Sequence, residues 1–448
     1  MKAVVIKPTT KWIAGALAFA GLIFALSPGP QHFMANPDGW ELREQVVYLT
    51  GISALSLMVL SMVISVRLPW LNRRMHGLDK AYVVHKWTGI FATVLLAFHW
   101  LGEKAPEWLV EWGIIPNPGD LSDASGFSEL DITLFQSGVA LAQVAFYGTI
   151  ILVVMALFKK IPYRLFRKFH KVFPVVFLLA AYHGVTAQLK ERWLGTPASY
   201  LLLLLVSIGV LAALISLVGR IGSSRKTTAL VTQLVHHEPG ILDLRLQTTQ
   251  ASFFYRPGQY MFLRFAHDKE PHPFTIASSG DNPYDLRFAI KSLGDFTGDL
   301  ASKLQVGQAV EVEGPYGEFL FDAPTERQIW IAGGIGITPF MARLEHLASR
   351  GGTQQPVDFW YATRGNKHTL FPHSLDGLCR QSGVTLHHLD STQKEYLTAE
   401  MLHKAVGNFN NVSIWFCGPH AFAQCLLNGL AAYDFDKRRF HYDDFAMR

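Results

Sequence analysis

Apolar residues crowd into the first half of the chain in six long runs, Trp12–Pro28, Val46–Leu68, Ala81–Leu101, Ile132–Phe158, Phe169–Leu189 and Tyr200–Val218. Most are near the roughly 20 residues that cross a bilayer as a helix. From about Arg225 onward the pattern changes to short segments in which apolar and polar positions alternate between turn residues, as in Tyr255–Phe265, His272–Ser279 and Asp285–Leu293. Such alternation predicts a small antiparallel barrel. Beyond it, the compact strand Ile329–Ala332 runs into a glycine-rich turn and an amphipathic helix, the beginning of an α/β unit.

Composition agrees with a chain divided between two solvents. Half of the residues are hydrophobic and only 17% are charged, too apolar for an ordinary soluble enzyme. The first run follows Lys2, Lys7 and Lys11 like a signal peptide, but no A-x-A type of cleavage site follows it, so it is read as a retained helix. The formal charge of +5 is modest, and its bases flank the apolar runs, which excludes nucleic acid as a partner. Arg67, Arg73, Arg74 and Lys80 follow the second run, and Lys159, Lys160, Arg164, Arg167 and Lys168 follow the fourth. By the positive-inside rule both connections are cytoplasmic. The connection after the third run is acidic, with Glu103, Glu107, Glu111, Asp120, Asp123, Glu129 and Asp131 against Lys104 alone, and is placed outside. Both chain termini then lie in the cytoplasm.

The three cysteines, Cys379, Cys417 and Cys425, form no CxxC and are too few for a cysteine-ligated iron–sulfur cluster. A metal cofactor must therefore use histidine. Four histidines lie inside the apolar runs, His85 and His99 in the third, His170 and His183 in the fifth. Taken singly, each has a plain reading as a histidine hydrogen-bonded to a neighbouring helix. Two matching pairs read differently. His85 and His99 are fourteen residues apart, about 21 Å of rise and nearly one face. The third and fifth helices run in the same direction, so His85 is level with His170 near the cytoplasmic side and His99 with His183 near the outer side. Two bis-imidazole sites at two depths suit two b-type haems. His170 and His183 are thirteen apart and would diverge by about 140° on an ideal helix. Pro174 sits four residues after His170 and predicts a kink or local unwinding there.

In the second half, Gly333-Gly334-Ile335-Gly336-Ile337-Thr338-Pro339 forms a phosphate-binding turn, with Thr338 as a candidate cap and Pro339 in the first turn of the helix. Its GxGxxP differs from the dinucleotide GxGxxG, and alone it is a weak signal. The segments HPFTIASS (from His272), IKSLGDFT (Ile290–Thr297), EGPYG (Glu313–Gly317), GGIGITPF (Gly333–Phe340) and FCGP (Phe416–Pro419) occur in the order found in the ferredoxin–NADP⁺ reductase superfamily. With six helices and paired histidines ahead of them, the chain resembles the NADPH oxidase and ferric reductase family over nearly its whole length.

That resemblance implies a six-helix transmembrane di-haem bundle over residues 1–222, an antiparallel β-barrel FAD domain over 223–325 and an α/β NAD(P)H domain over 326–448. It implies that His272, Pro273, Phe274 and Thr275 hold the isoalloxazine, with Thr275 bonded to the flavin ring, and that Lys291, Ser292, Asp295 and Thr297 follow the FAD pyrophosphate. Gly334, Gly336 and Thr338 receive the nucleotide pyrophosphate, while Cys417, Gly418 and Pro419 border the nicotinamide. The resemblance also implies an aromatic near the C-terminus that covers the flavin, for which Phe445, three residues before the end, is the best candidate. Arg364, with Lys367 nearby, follows the strand Val357–Thr363 where a 2′-phosphate is read, which favours NADPH over NADH. The EF-hand pattern of calcium-gated oxidases is absent from the sequence. The implied activity is electron transfer from NAD(P)H through FAD and two haems to a small acceptor outside, dioxygen or ferric iron. Two rivals remain, a membrane-anchored flavin reductase without haem and a relay subunit that serves a partner protein.

Overall fold

The computed structural model describes residues 2–35, 37–116, 127–158, 160–190, 193–237, 240–248, 254–268, 270–365 and 375–442. The chain divides into two compact units, one helical and apolar and the other mainly Gly222–Arg448.

The helical unit comprises α1 (Lys2–Ala25), α2 (Gly29–Ala35), α3 (Gly39–Ser65), α4 (Pro69–Arg74), α5 (Leu78–Glu111), α6 (Glu129–Leu157), α7 (Tyr163–His170), α8 (Phe173–Lys190) and α9 (Pro197–Leu217). Polar residues start several of them. Asp38 accepts the Trp40 and Glu41 amides at 2.8 Å at the head of α3, Ser128 and Asp131 form a reciprocal capping box on α6, and Thr196 caps α9 ahead of Pro197. Five spans are long and apolar enough to cross a membrane: α3, α5, α6, α9, and Leu165–Leu189, which combines most of α7 with α8. The first apolar run meets that test only as Thr9–Ala25 joined to Gly29–Ala35 across a 55° bend, so the expected six helices become five to six. Small residues let the helices approach. A side chain at Gly138 of α6 would overlap the Thr186 hydroxyl of α8, and one at Gly209 of α9 would overlap Phe177. Leucines, valines and aromatics such as Leu22, Phe98, Val144, Ile151 and Leu211 remain exposed around the outside, as lipid contact requires.

The second unit holds two sheets. The first contains β1 (Lys226–His237), β2 (Ile241–Thr248), β3 (Tyr260–Phe265), β4 (His272–Thr275), β5 (Asp285–Lys291) and, after α10 (Asp295–Lys303), β6 (Ala309–Tyr316). All its ladders are antiparallel, in the order β4-β3-β6-β1-β2-β5. Its inward side chains, among them Leu244, Leu246, Met261, Phe288, Val310 and Val312, form one core. The expected barrel does not close by a ladder. The edge strands β4 and β5 are joined by an isolated bridge, Ile276 to Phe288, with the Ala277 amide donating to Arg287 at 2.7 Å. Four residues of β4 are too short to ladder along seven of β5.

The second sheet is parallel. It comprises β7 (Arg327–Gly333), β8 (Val357–Thr363), β9 (Thr385–Asp390), β10 (Val412–Cys417) and β11 (Phe440–Tyr442), in the order β11-β10-β7-β8-β9. Around it lie α11 (Thr338–Ala348), α12 (Leu375–Ser382), α13 (Ala399–Val406) and α14 (His420–Leu430). Both faces are buried, as a parallel sheet demands. Trp330 and Trp415 face one core with Phe340 and Phe359, and Ile329, Ile331, Ile414 and Phe416 face the other with Leu402 and Leu426. Arg287 of β5 grips Asp243 with two hydrogen bonds of 2.7 and 3.0 Å and reaches Glu345 of α11 at 3.3 Å, tying the first sheet to the second layer.

Candidate functional site

The helix carrying His170 and His183 breaks where Pro174 predicts. α7 ends at His170 and α8 begins at Phe173. Between them the Val172 amide turns back to Phe169 at 2.9 Å, and Val175 and Val176 both donate to the Val172 carbonyl. Proline has no N–H to offer the His170 carbonyl, so the regular ladder stops there. The break turns His170 towards His85. Their ring centroids are 5.9 Å apart with planes at 69°, and the His99–His183 centroids are 6.2 Å apart at 68°.

These separations test whether a bis-imidazole metal would fit. Two nitrogens at roughly 2 Å from one ion, each about 1 Å from its ring centre, put the centroids about 6 Å apart. Both pairs meet that requirement. The tautomers agree as well: His85 Nδ1 lies 3.1 Å from the Ser61 carbonyl and His99 Nδ1 lies 2.9 Å from the Val47 carbonyl, so each ring donates through Nδ1 and leaves Nε2 with its lone pair. His170 Nδ1 and His183 Nδ1 are both buried with no hydrogen-bond partner. Among the described residues, α8 packs closely on α3, α6 and α9, but α5 makes no such extended approach to α8. The histidine-bearing helices are held a ring's reach apart. Around the second pair lies a cavity of about 420 Å³, lined by Val47, Gly51, Leu55, His99, Phe146 and His183 among others. A side chain on Gly51 would press on the His99 ring at 3.0 Å, so glycine keeps that wall open.

In the first sheet, His272–Thr275 form β4 and pair with Tyr260–Leu263 of β3. The His272 ring stacks on Phe296 at 3.6 Å, and its Nε2 lies 3.1 Å from Asp268. Neither Asp268 nor Phe296 is picked out by the sequence reading. Phe296 stands inside the quoted GDFT segment, whereas nothing local marks Asp268. Lys291 ends β5, and Ser292 leads to the start of α10 at Asp295. Thr297 accepts the Leu293 amide at 2.9 Å and the Gly294 amide at 3.2 Å, shaping the turn from strand to helix. The bridge from Ile276 to Phe288 stitches this segment's strand to the one bearing Thr275.

In the parallel sheet the glycine turn and the FCGP segment meet. A Cβ on Gly336 would overlap the Cys417 carbonyl, and one on Gly333 would lie 2.8 Å from Pro419. Gly334 has φ +56° and faces open space. Thr338 does not cap the helix. It is already the first residue of α11, and its hydroxyl donates to the Ile335 carbonyl at 2.7 Å, while the preceding Ile337 supplies no side-chain cap. Capping needs the non-helical residue ahead of the first turn, a position one residue earlier. The start of α11 is therefore left without a side-chain anion of its own, beside an open glycine turn, an arrangement suited to phosphate. Arg364 is exposed just after β8. Lys367 and Phe445 lie outside the described residues, as does the side chain of Asp295.

Comparison with known proteins gives three family matches in chain order: a ferric reductase like transmembrane component over residues 50–181, an FAD-binding domain over 227–319 and an oxidoreductase NAD-binding domain over 330–427. The glycine betaine monooxygenase reductase subunit of Pseudomonas aeruginosa is 28% identical over 208 residues, 43% of this chain and 57% of its own length. A superoxide-generating NADPH oxidase heavy chain of Dictyostelium discoideum is 28% identical over 227 residues, 44% of this chain and 30% of its own. The chain thus spans little more than half of the first relative and under a third of the second. Among solved structures, the FAD/NAD-binding domain of a nitric oxide dioxygenase from Vibrio cholerae is 24% identical, with a TM-score of 0.43, covering 49% of this chain and 99% of that one.

The fold and its sites define a flavin- and nicotinamide-binding reductase module joined to an apolar helical domain with paired histidines. With the transmembrane match ahead of the two reductase matches, the chain has the domain architecture of the NADPH oxidase and ferric reductase family.

Proposed function

We propose that the protein is a transmembrane oxidoreductase that takes electrons from NAD(P)H through FAD and two b-type haems to a small acceptor on the opposite face, dioxygen or a ferric complex. The observation that carries this reading is the pairing of His85 with His170 and His99 with His183 at the spacing of a bis-imidazole iron. A bound flavin takes two electrons together and yields them singly, which one-electron haems require. The chain's own part is placement. The Ser61 and Val47 carbonyls fix the tautomers of His85 and His99. Thr275 bonds the flavin ring within His272–Thr275, and Lys291, Ser292, Asp295 and Thr297 follow the FAD pyrophosphate. The turn of Gly334 and Gly336, with Thr338 heading α11, receives the nucleotide pyrophosphate. Cys417, Gly418 and Pro419 border the nicotinamide, Phe445 covers the flavin, and Arg364 favours a 2′-phosphate. Both termini and the reductase module lie in the cytoplasm, by the positive-inside placement of the basic connections.

Pigment analysis of the purified protein tests the reading, with two low-spin b haems and one FAD per chain expected. His99→Ala or His183→Ala leaves the inner haem reducible by NAD(P)H and stops delivery to the outer face, whereas His85→Ala or His170→Ala stops both. Colourless protein that still oxidises NAD(P)H identifies a membrane-anchored flavin reductase instead.

A further inference from the structure

The two histidines of α5 are both anchored through Nδ1, but by different means. His99 meets one acceptor, the Val47 carbonyl. His85 meets two on a single residue, the Ser61 carbonyl at 3.1 Å and the Ser61 hydroxyl at 3.0 Å. Thr88, fully buried and nearly one turn further along α5, donates to the His85 carbonyl at 2.8 Å and lies 3.2 Å from the Ser61 hydroxyl. The Ser61 hydroxyl in turn lies 3.4 Å from the His85 carbonyl. Two hydroxyls from two helices therefore close around one histidine.

A hydroxyl in a membrane helix ordinarily satisfies itself on its own backbone. Thr50 does so on Val46 and Thr93 on Gly89. Ser61 of α3 instead turns to the neighbouring helix, where the Nδ1–H of His85 requires an acceptor. Donation from Nδ1 makes the opposite nitrogen a stronger base, and a more basic axial ligand favours oxidised iron. We propose that Ser61 and Thr88 are positioning residues that act through His85 to hold down the midpoint potential of the inner haem. The proposal rests on the haem reading given above. His99 has no such hydroxyl among the described residues, so the influence falls on one site of the two.

Spectroelectrochemical titration of the full-length purified protein tests this. Each single variant is titrated, and Ser61→Ala is repeated in a His99→Ala background, where the inner haem titrates alone. Ser61→Ala is expected to raise the inner midpoint and leave the outer one in place. Thr88→Val raises the inner midpoint by a smaller amount, because it removes a hydrogen-bonding neighbour of the Ser61 hydroxyl and not an acceptor of the ring. Ser61→Thr and Thr88→Ser keep the hydroxyls and retain the wild-type value. An unmoved inner midpoint in Ser61→Ala with both haems bound overturns the proposal, as does an equal shift at both haems. Should Ser61→Ala lose its haem, Thr88→Val decides: a raised inner midpoint supports the proposal and an unchanged one overturns it. A wild-type protein without haem removes the functional reading and this proposal together, whereas two haems with an indifferent inner midpoint remove this proposal alone.

Discussion

Gly334 and Gly336 stand two residues apart in one turn, yet a methyl group meets different surroundings at each. At Gly334 it faces open space and meets only the left-handed backbone, φ +56°, a cost of about 1–2 kcal/mol. At Gly336 it collides with the Cys417 carbonyl, a backbone atom that moves only if β10 moves with it. Gly336→Ala is therefore expected to abolish flavin reduction by NAD(P)H while dithionite still reduces the haems, and Gly334→Ala to be much milder. Equal losses in stopped-flow flavin reduction would show that the contact with Cys417 is unimportant. The cysteines give a second contrast. Burial, with the nearby charge of Asp376 adding to it, pushes the Cys379 thiol up to about 12, whereas Cys425 is exposed. Since the thiolate is the reactive form, alkylation at pH 8 should reach Cys425 first and spare Cys379 until the domain unfolds. Peptide mapping that found both labelled at one rate would contradict the buried placement.

At the scale of elements, the break between α7 and α8 decides which way His170 points. Pro174→Ala restores a donor for the His170 carbonyl and allows the helix to run on, which would swing His170 about 140° from His183. The inner haem is expected to be depleted while the outer is retained, read as a haem-to-protein ratio falling from two towards one. A ratio that stayed at two would mean that packing, not proline, makes the break. This break was legible in the sequence because its cause is local, a proline four residues after a histidine. The strand segments and the glycine turn were legible for the same reason. The closed barrel was not, since closure depends on how β4 and β5 meet across the sheet, and a four-residue strand gives no sign of where its edge goes. Thr338 was misplaced by one residue because a cap is defined by backbone angles that sequence does not show. The partners of His85 were invisible because Ser61 is twenty-four residues away. Serines in apolar helices are too common to single one out.

For the molecule as a whole, the connection placed outside carries Glu103, Glu107, Glu111, Glu129 and Asp131 among its described residues. Part of that charge is answered, Arg43 pairing with Glu103 at 2.8 Å and Lys104 with Glu107 at 2.9 Å. Exposed pairs of this kind leave the summed field negative, and such a field draws cations within a Debye length, about 10 Å at 0.1 M salt. With NADPH supplied to the reductase module, a cationic ferric complex should be reduced faster than an anionic one at low salt, the difference shrinking at high salt, and dioxygen should be indifferent. Equal rates for the two complexes at low salt would remove the charge argument. One further property follows from α5, a single helix of 34 residues bearing both His85 and His99. At ~1.5 Å per residue it is roughly 51 Å long, well beyond the ~30 Å of hydrocarbon it crosses. A thinner or thicker bilayer is met by tilting such a helix, because tilting costs only a fraction of a kcal/mol per ångström of mismatch. The backbone hydrogen bonds between the two histidines are untouched by tilt. The gap between His85 and His99 is thus set like the rungs of a rigid ladder, and a surrounding bilayer can lean the ladder without respacing it.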